Sequence, residues 1–199
     1  MNVTRFHDST TGLDIVQVMP GTLYATSSGE CITTILGSCI SVCLRDPLSN
    51  IGGLNHFMLP GSRPDNDKSS ETNNYGQFAM AQLISKMESL GANTNRFDAK
   101  IFGGGSMFPN DQEIGARNIE FATDHLRELG IEITSQDVGL NCSRRIRFFT
   151  DTGKVMVKRL RSLHNKHISN QEIDYEKYLT SIEKNSNAYD LMRPNNTDW

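Results

Sequence analysis

Short apolar runs, broken by Gly, Pro, Asn and Asp, fill the first third of the chain. Leu13–Met19, Thr22–Thr26, Cys31–Leu36, Ile40–Leu44 and Ile51–Phe57 read as strands. β-Branched residues are densest at Ile32-Thr33-Thr34-Ile35, which suits a pleated, buried surface. Asp46-Pro47 with Ser49-Asn50 marks a turn, so residues 40–57 read as a hairpin. The period then changes. Met80, Leu83, Ile84, Met87 and Leu90 recur at helical spacing and Gly91 follows as a left-handed stop, predicting a helix over Tyr75–Leu90. Ile119, Ala122, Leu126 and Leu129, closed by Gly130, predict a second helix over Glu113–Leu129. Between them Ala99–Phe102 is a short strand running into Gly103-Gly104-Gly105-Ser106. Ile131–Val138, Arg144–Phe149 and Val155–Leu160 are three further strands, the last two joined by a tight turn at Asp151-Thr152-Gly153. Pro60–Asn74, polar and carrying Gly61 and Pro64, reads as a mobile loop.

The apolar pattern fades from Ser162. The last 38 residues hold only seven of Val, Ile, Leu, Met and Phe, too few for a core of their own. Ser169 and Glu172 have the spacing of a capping box, and Tyr175, Leu179 and Ile182 give a weak stripe. Residues 1–161 therefore read as one domain, and 162–199 as a tail with one short helix and a disordered end. The element order is α+β: a mixed sheet covered by two main helices. Composition adds mainly exclusions. A net charge of −3 provides no positive field for nucleic acid. Arg5, Asp8 and Asp14 interrupt the N-terminus, so no signal peptide is read there, and no run approaches the roughly 18 apolar residues of a membrane helix. The expected setting is the cytoplasm, with no membrane insertion.

In that reducing setting the four cysteines, Cys31, Cys39, Cys43 and Cys142, are buried thiols, metal ligands or nucleophiles. Gly37-Ser38 places Cys39 just after a point where the backbone can turn sharply. His56 lies on the partner strand of the hairpin, where an imidazole can take the thiol proton. Its second ring nitrogen then needs a partner, which Thr33 or Thr34 could supply. A thiolate held in this way makes Cys39 the most readily alkylated of the four. A zinc site built from Cys39, Cys43, His56 and Cys142 is the chemical rival, but it lacks paired short knuckles. Gly103-Gly104-Gly105 reads as a structural turn lining the site, since no Lys-Ser/Thr follows to hold a phosphate. Arg117-Asn118 reads as a loop brace. Arg144, Arg145, Arg147, Lys158, Arg159 and Arg161 read as a solvated basic face. Spacing alone leaves the Cys–His pair undecided.

More specific is a series of ordered blocks: Thr33-Thr34-Ile35-Leu36-Gly37-Ser38-Cys39, Asp46-Pro47, Gly52-Gly53-Leu54-Asn55-His56-Phe57-Met58-Leu59-Pro60, Tyr75-Gly76, Ala99-Lys100-Ile101-Phe102-Gly103-Gly104, Ile114-Gly115-Ala116-Arg117-Asn118 and Gly153–Lys158. Over residues 10–160 the chain resembles the CheD family of chemoreceptor glutamine deamidases. The resemblance implies a compact α/β sandwich similar to the catalytic domain of cytotoxic necrotizing factor toxins. It implies a protein-glutamine glutaminase that hydrolyses receptor Gln side chains to Glu and releases ammonia, with no metal or cofactor. Cys39 matches the family nucleophile and His56 the base. The family's Thr, six residues before the Cys, falls on Thr33. Implied partners are the cytoplasmic domains of chemoreceptors and, in some species, the phosphatase CheC. An adaptor that binds CheC or receptors with little catalysis is the alternative. One departure stands out. The family carries a Gly pair and a further Gly near Asp137, whereas this chain reads Asp137-Val138-Gly139-Leu140-Asn141-Cys142, which should alter that loop.

Overall fold

The computed structural model describes residues 3–59, 71–106, 111–160 and 165–184. It contains two five-stranded sheets rather than one mixed sheet. The outer sheet runs β1 (Thr4–Asp8), β2 (Leu13–Gln17), β4 (Cys31–Leu36), β9 (Arg144–Phe149) and β10 (Val155–Arg159). The central sheet runs β3 (Thr22–Thr26), β6 (Ile51–His56), β5 (Ile40–Asp46), β7 (Asp98–Gly103) and β8 (Glu132–Val138). Each sheet contains one parallel pair, β2 with β4 and β7 with β8. The helices α1 (Glu71–Ser89) and α2 (Asp111–Glu128) cover the face of the central sheet turned away from the outer sheet. The helix α3 (Asn165–Lys184) is the third. No described helix is long and apolar enough to cross a membrane.

The pattern of β5 explains this layering. Ile40, Val42 and Leu44 pack with Met80, Leu83, Met87, Ala122 and Leu126 of the helices. Cys43, between them in sequence, points to the other side and packs with Leu54, Phe102, Ile32, Ile146 and Phe148. Both faces of the strand are therefore buried, so the run is almost continuously apolar instead of alternating. The hairpin turn forms where expected. Asp46 Oδ1 accepts the N–H groups of Leu48 (3.0 Å) and Ser49 (3.4 Å), and Asn50 takes the left-handed conformation at φ 55°.

Four expectations change. β1 has no counterpart among the strands read from the sequence. It is an exposed edge strand whose pattern, Thr-Arg-Phe-His-Asp, carries little apolar signal. α1 begins at Glu71, so the last residues of the expected Pro60–Asn74 loop are helical; its first eleven positions lie outside the described residues. The basic face is only partly solvated. Arg144 is fully buried and ion-paired with Asp137, Arg147 reaches Asp8, and Arg159 meets Asp137 at 2.8 Å. Ser169 and Glu172 form no capping box, because Ser169 lies inside α3 and Glu172 points elsewhere.

In the loop after β8 a leucine takes a conformation that favours glycine. Leu140 holds φ 65° directly after Gly139 at φ 68°, and its carbonyl accepts the N–H of Ser106 at 2.9 Å. A leucine there carries about 1–2 kcal/mol of backbone strain that glycine would not.

Candidate active site

Gly37, Ser38 and Cys39 link β4 to β5, and their peptide groups are sorted to opposite sides. The three carbonyls face away from the site and are all engaged. Gly37 O accepts from Gly105 N (2.6 Å), Ser38 O from Asn118 Nδ2 (2.8 Å) and Cys39 O from Gly104 N (2.7 Å). The three N–H groups face the other way, and all three donate to one carboxylate. Gly37 N (2.8 Å) and Cys39 N (3.2 Å) reach Glu172 Oε1, while Ser38 N (2.8 Å) and Ser38 Oγ (2.8 Å) reach Oε2. Such a row of fixed amides can stabilise negative charge developing on oxygen without having to reorient.

The glycine run thus has a role that sequence spacing only outlined. Gly103 has φ 115°, and a Cβ there would overlap the Cys39 carbonyl oxygen. A Cβ on Gly105 would stand 2.5 Å from Cys142 O. These glycines let one backbone lie against another. Asn118, expected as a brace, joins α2 both to Ser38 O and, through Oδ1, to Leu59 N at 2.8 Å.

His56 ends β6, facing the thiol. A ring nitrogen of His56, Cys39 Sγ and a Glu172 carboxylate oxygen lie within 4.8 Å of one another, all buried. The hydroxyl of Thr34 donates to Val18 O at 2.8 Å, which uses its one hydrogen. Its 2.8 Å contact with His56 Nδ1 is therefore donated by the imidazole. That fixes the tautomer with the proton on Nδ1 and leaves Nε2 a free base, with no hydrogen-bond partner among the described residues. Thr33, expected in this role, points to the opposite face of β4 and donates to Ile146 O at 2.7 Å. Successive strand residues alternate, so only one of the two threonines can face His56. The structure places Thr34 there.

The electrostatics differ from the activated pair expected from sequence. Burial, and next the Glu172 carboxylate, push the Cys39 thiol well above its ordinary range. Burial takes the His56 imidazole from 6.5 to about 3. In this arrangement thiol and imidazole are both neutral. The sign of the resulting pH dependence follows from proton uptake. Between those two values the unfolded chain binds a proton that the folded chain excludes. The stability due to neutral His56 is complete above about pH 6.5 and is lost as pH falls towards 3. The urea midpoint is expected to drop between pH 7 and pH 4.5, and His56→Gln to flatten that slope. An equal slope in the variant would assign the effect to other groups.

Cys43 is buried between the sheets, and neither it nor Cys142 joins the Cys39–His56–Glu172 group, so the four-ligand zinc arrangement is not assembled. The carboxylate in that group is already saturated by hydrogen-bond donors. Beside the group lies a cleft of about 540 Å³, lined by His56, Asn55, Tyr75, Phe78, Tyr175 and Tyr178 among others. Glu172 is the residue of this group that sequence reasoning missed. The available signal was its place in the stripe Ile168, Glu172, Tyr175, Leu179, where a charge interrupts an apolar face.

Comparison with known proteins gives the family. Residues 58–159, about half of the chain, match the family described as CheD chemotactic sensory transduction. The chain belongs to the CheD family. That match begins two residues after His56, and similarity to individual members reaches further. The protein of Hydrogenovibrio crunogenus named "Probable chemoreceptor glutamine deamidase CheD" is 39% identical over 170 residues, covering 84% of this chain and 89% of that one. The CheD 1 of Dechloromonas aromatica is 40% identical, covering 86% of each chain. The CheD of Hahella chejuensis is 42% identical over 87% of this chain and 83% of its own. Both of these relatives carry the same chemoreceptor glutamine deamidase name.

Proposed function

We propose that this chain hydrolyses glutamine side-chain amides on the cytoplasmic domains of chemoreceptors to glutamate, releasing ammonia. The observation that carries the reading is the row of Gly37, Ser38 and Cys39 amides closed on a glutamate carboxylate beside a Cys–His pair. A glutamate side chain is the product of this reaction. Cys39 Sγ attacks the amide carbon, and its proton passes to His56 Nε2. The amides hold the developing oxyanion, and the imidazolium protonates the departing ammonia. Water, activated by His56, then cleaves the thioester. Thr34 positions the imidazole. The intact pair and the preset amides favour catalysis over a purely adaptor role. A likeness to the catalytic domain of cytotoxic necrotizing factors, action in the cytoplasm, and restraint by CheC where that protein is present all belong to the same reading. The sandwich built around a Cys–His pair supports the first of these.

The test is incubation with a chemoreceptor cytoplasmic fragment, with Gln-to-Glu conversion mapped by mass spectrometry. The two threonines separate the possible orienters of the histidine. Thr34→Ala is expected to lower kcat roughly 10- to 100-fold with little change in KM. Thr33→Ala is expected to cost about 1 kcal/mol of stability and leave kcat near wild type. The reverse order would return Thr33 to the site.

A further inference from the structure

The face that α3 presents to the body of the protein is Ile168, Glu172, Tyr175 and Leu179, spaced four, three and four residues apart, all buried. Tyr175 and Leu179 join the same apolar cluster as Cys39, Leu36 and Met58. The Tyr175 hydroxyl also meets that of Tyr75 on α1. A carboxylate carried into such an interface costs several kcal/mol unless it is met by donors. Glu172 meets four, and three of them are the amides beside the nucleophile. A helix lying elsewhere on the protein would have no use for a carboxylate at this position, whereas one that covers the amide row must bring an acceptor to it.

We propose that α3 lies in the groove that receives the substrate, with Glu172 as a built-in copy of the reaction product. Substrates are then helices presenting a glutamine in the same register, with apolar residues four before, three after and seven after it. The inference rests on the deamidase reading for its chemistry, but not for the position of α3. Glu172 offers two acceptor oxygens to the amides and a substrate glutamine only one, so the built-in helix competes well and must leave before a receptor helix can enter. With α3 in place Cys39 is fully buried, whereas Cys142 is partly exposed. The thiol expected to react first is therefore the covered one.

The register has a direct consequence. In Glu172→Gln, the helix carries a substrate. Cys39 Sγ would bond to the side-chain carbonyl carbon of the introduced glutamine as its C–N bond breaks. Ammonia would leave with the thiol proton delivered by His56. Water would then cleave the C–S bond, restoring the thiol and leaving glutamate at position 172.

The experiment uses the full-length protein as wild type, Glu172→Ala, Glu172→Gln, and Glu172→Gln combined with Cys39→Ala, each checked for folding by circular dichroism. Iodoacetamide labelling, turnover of a receptor cytoplasmic fragment and the mass at position 172 are read by mass spectrometry. In wild type, Cys142 should label before Cys39. In Glu172→Ala, Cys39 labelling and receptor turnover should each rise at least about tenfold. The introduced glutamine should gain about 1 Da only where Cys39 is present, the mass difference between an amide and an acid. The receptor glutamines converted should show the −4, +3, +7 apolar spacing. Unchanged Cys39 labelling in folded Glu172→Ala, or persistence of the introduced glutamine in a protein that still converts the receptor, overturns the inference and leaves the deamidase reading standing. Faster Cys39 labelling with no conversion of the receptor or of the introduced glutamine keeps α3 as the cover of this site, but overturns both the deamidase reading and the product mimicry.

Discussion

Cys39→Ala is expected to reduce Gln-to-Glu conversion by about 10⁴-fold or more, to the level that bound amides and a lone imidazole can sustain. No other cysteine can take its place. Cys43 lies buried between the sheets, Cys31 is in the outer sheet, and Cys142 is not part of the Cys39–His56–Glu172 group. The substitution removes one buried sulfur, so the fold should persist, with the carboxylate of Glu172 still held by the amides of residues 37, 38 and 39. The comparison is a time course on a receptor fragment, with circular dichroism to check the fold. Turnover within tenfold of wild type would exclude Cys39 as nucleophile.

The second large effect is expected at a residue with no side chain. Gly103→Ala places a methyl group on the Cys39 carbonyl oxygen, at a position whose φ of 115° already disfavours any residue but glycine. Overpacking and backbone strain together should cost about 2–6 kcal/mol. The Cys39 carbonyl is tied to Gly104 N and belongs to the peptide that directly follows the last amide of the row, so a shift there is passed through the Cys39 Cα to its N–H. Turnover should fall by about 100-fold or more even where the protein remains folded, since losing one aligned donor of this kind has that effect. Denaturant unfolding gives the first number and kcat the second. A variant with full activity and wild-type stability would mean that the loop accommodates the methyl group and that this contact does not set the amide row.

Most strands and both main helices could be read because their apolar spacing is local. The division into two sheets could not, because β5 is apolar on both faces and looks the same whether one layer or two lie against it. The choice between Thr33 and Thr34 fails for a related reason. Both threonines are buried, one on each face of β4, so hydrophobic pattern gives no preference. What sets the Thr34–His56 contact is Val18 O, just past the end of the neighbouring strand β2, which takes the hydrogen of the Thr34 hydroxyl. Cys39 and His56 were legible as residue types at a plausible separation. The amide row was legible only as a Gly-Ser turn, because the groups that hold its carbonyls, Gly104, Gly105 and Asn118, lie far along the chain. Glu172 was visible but misassigned. A Ser-x-x-Glu spacing has a local explanation, and the actual partners are more than 130 residues away.

The same carbonyl clamp bears on how the protein is made. A growing chain exposes its thiol at residue 39 and its imidazole at residue 56 well before the segments that align the amides have been synthesised. Asn118 comes 80 residues after the Ser38 carbonyl it secures. Long-range closures of this kind form late in folding. A nascent or truncated chain therefore carries reactive groups without the geometry that makes them a hydrolase. Competence waits for α2 to dock and for β9, which pairs with β4, to join the outer sheet, and α3 is the last described element to be synthesised. The segments that build the catalyst are thus made before the segment that covers it.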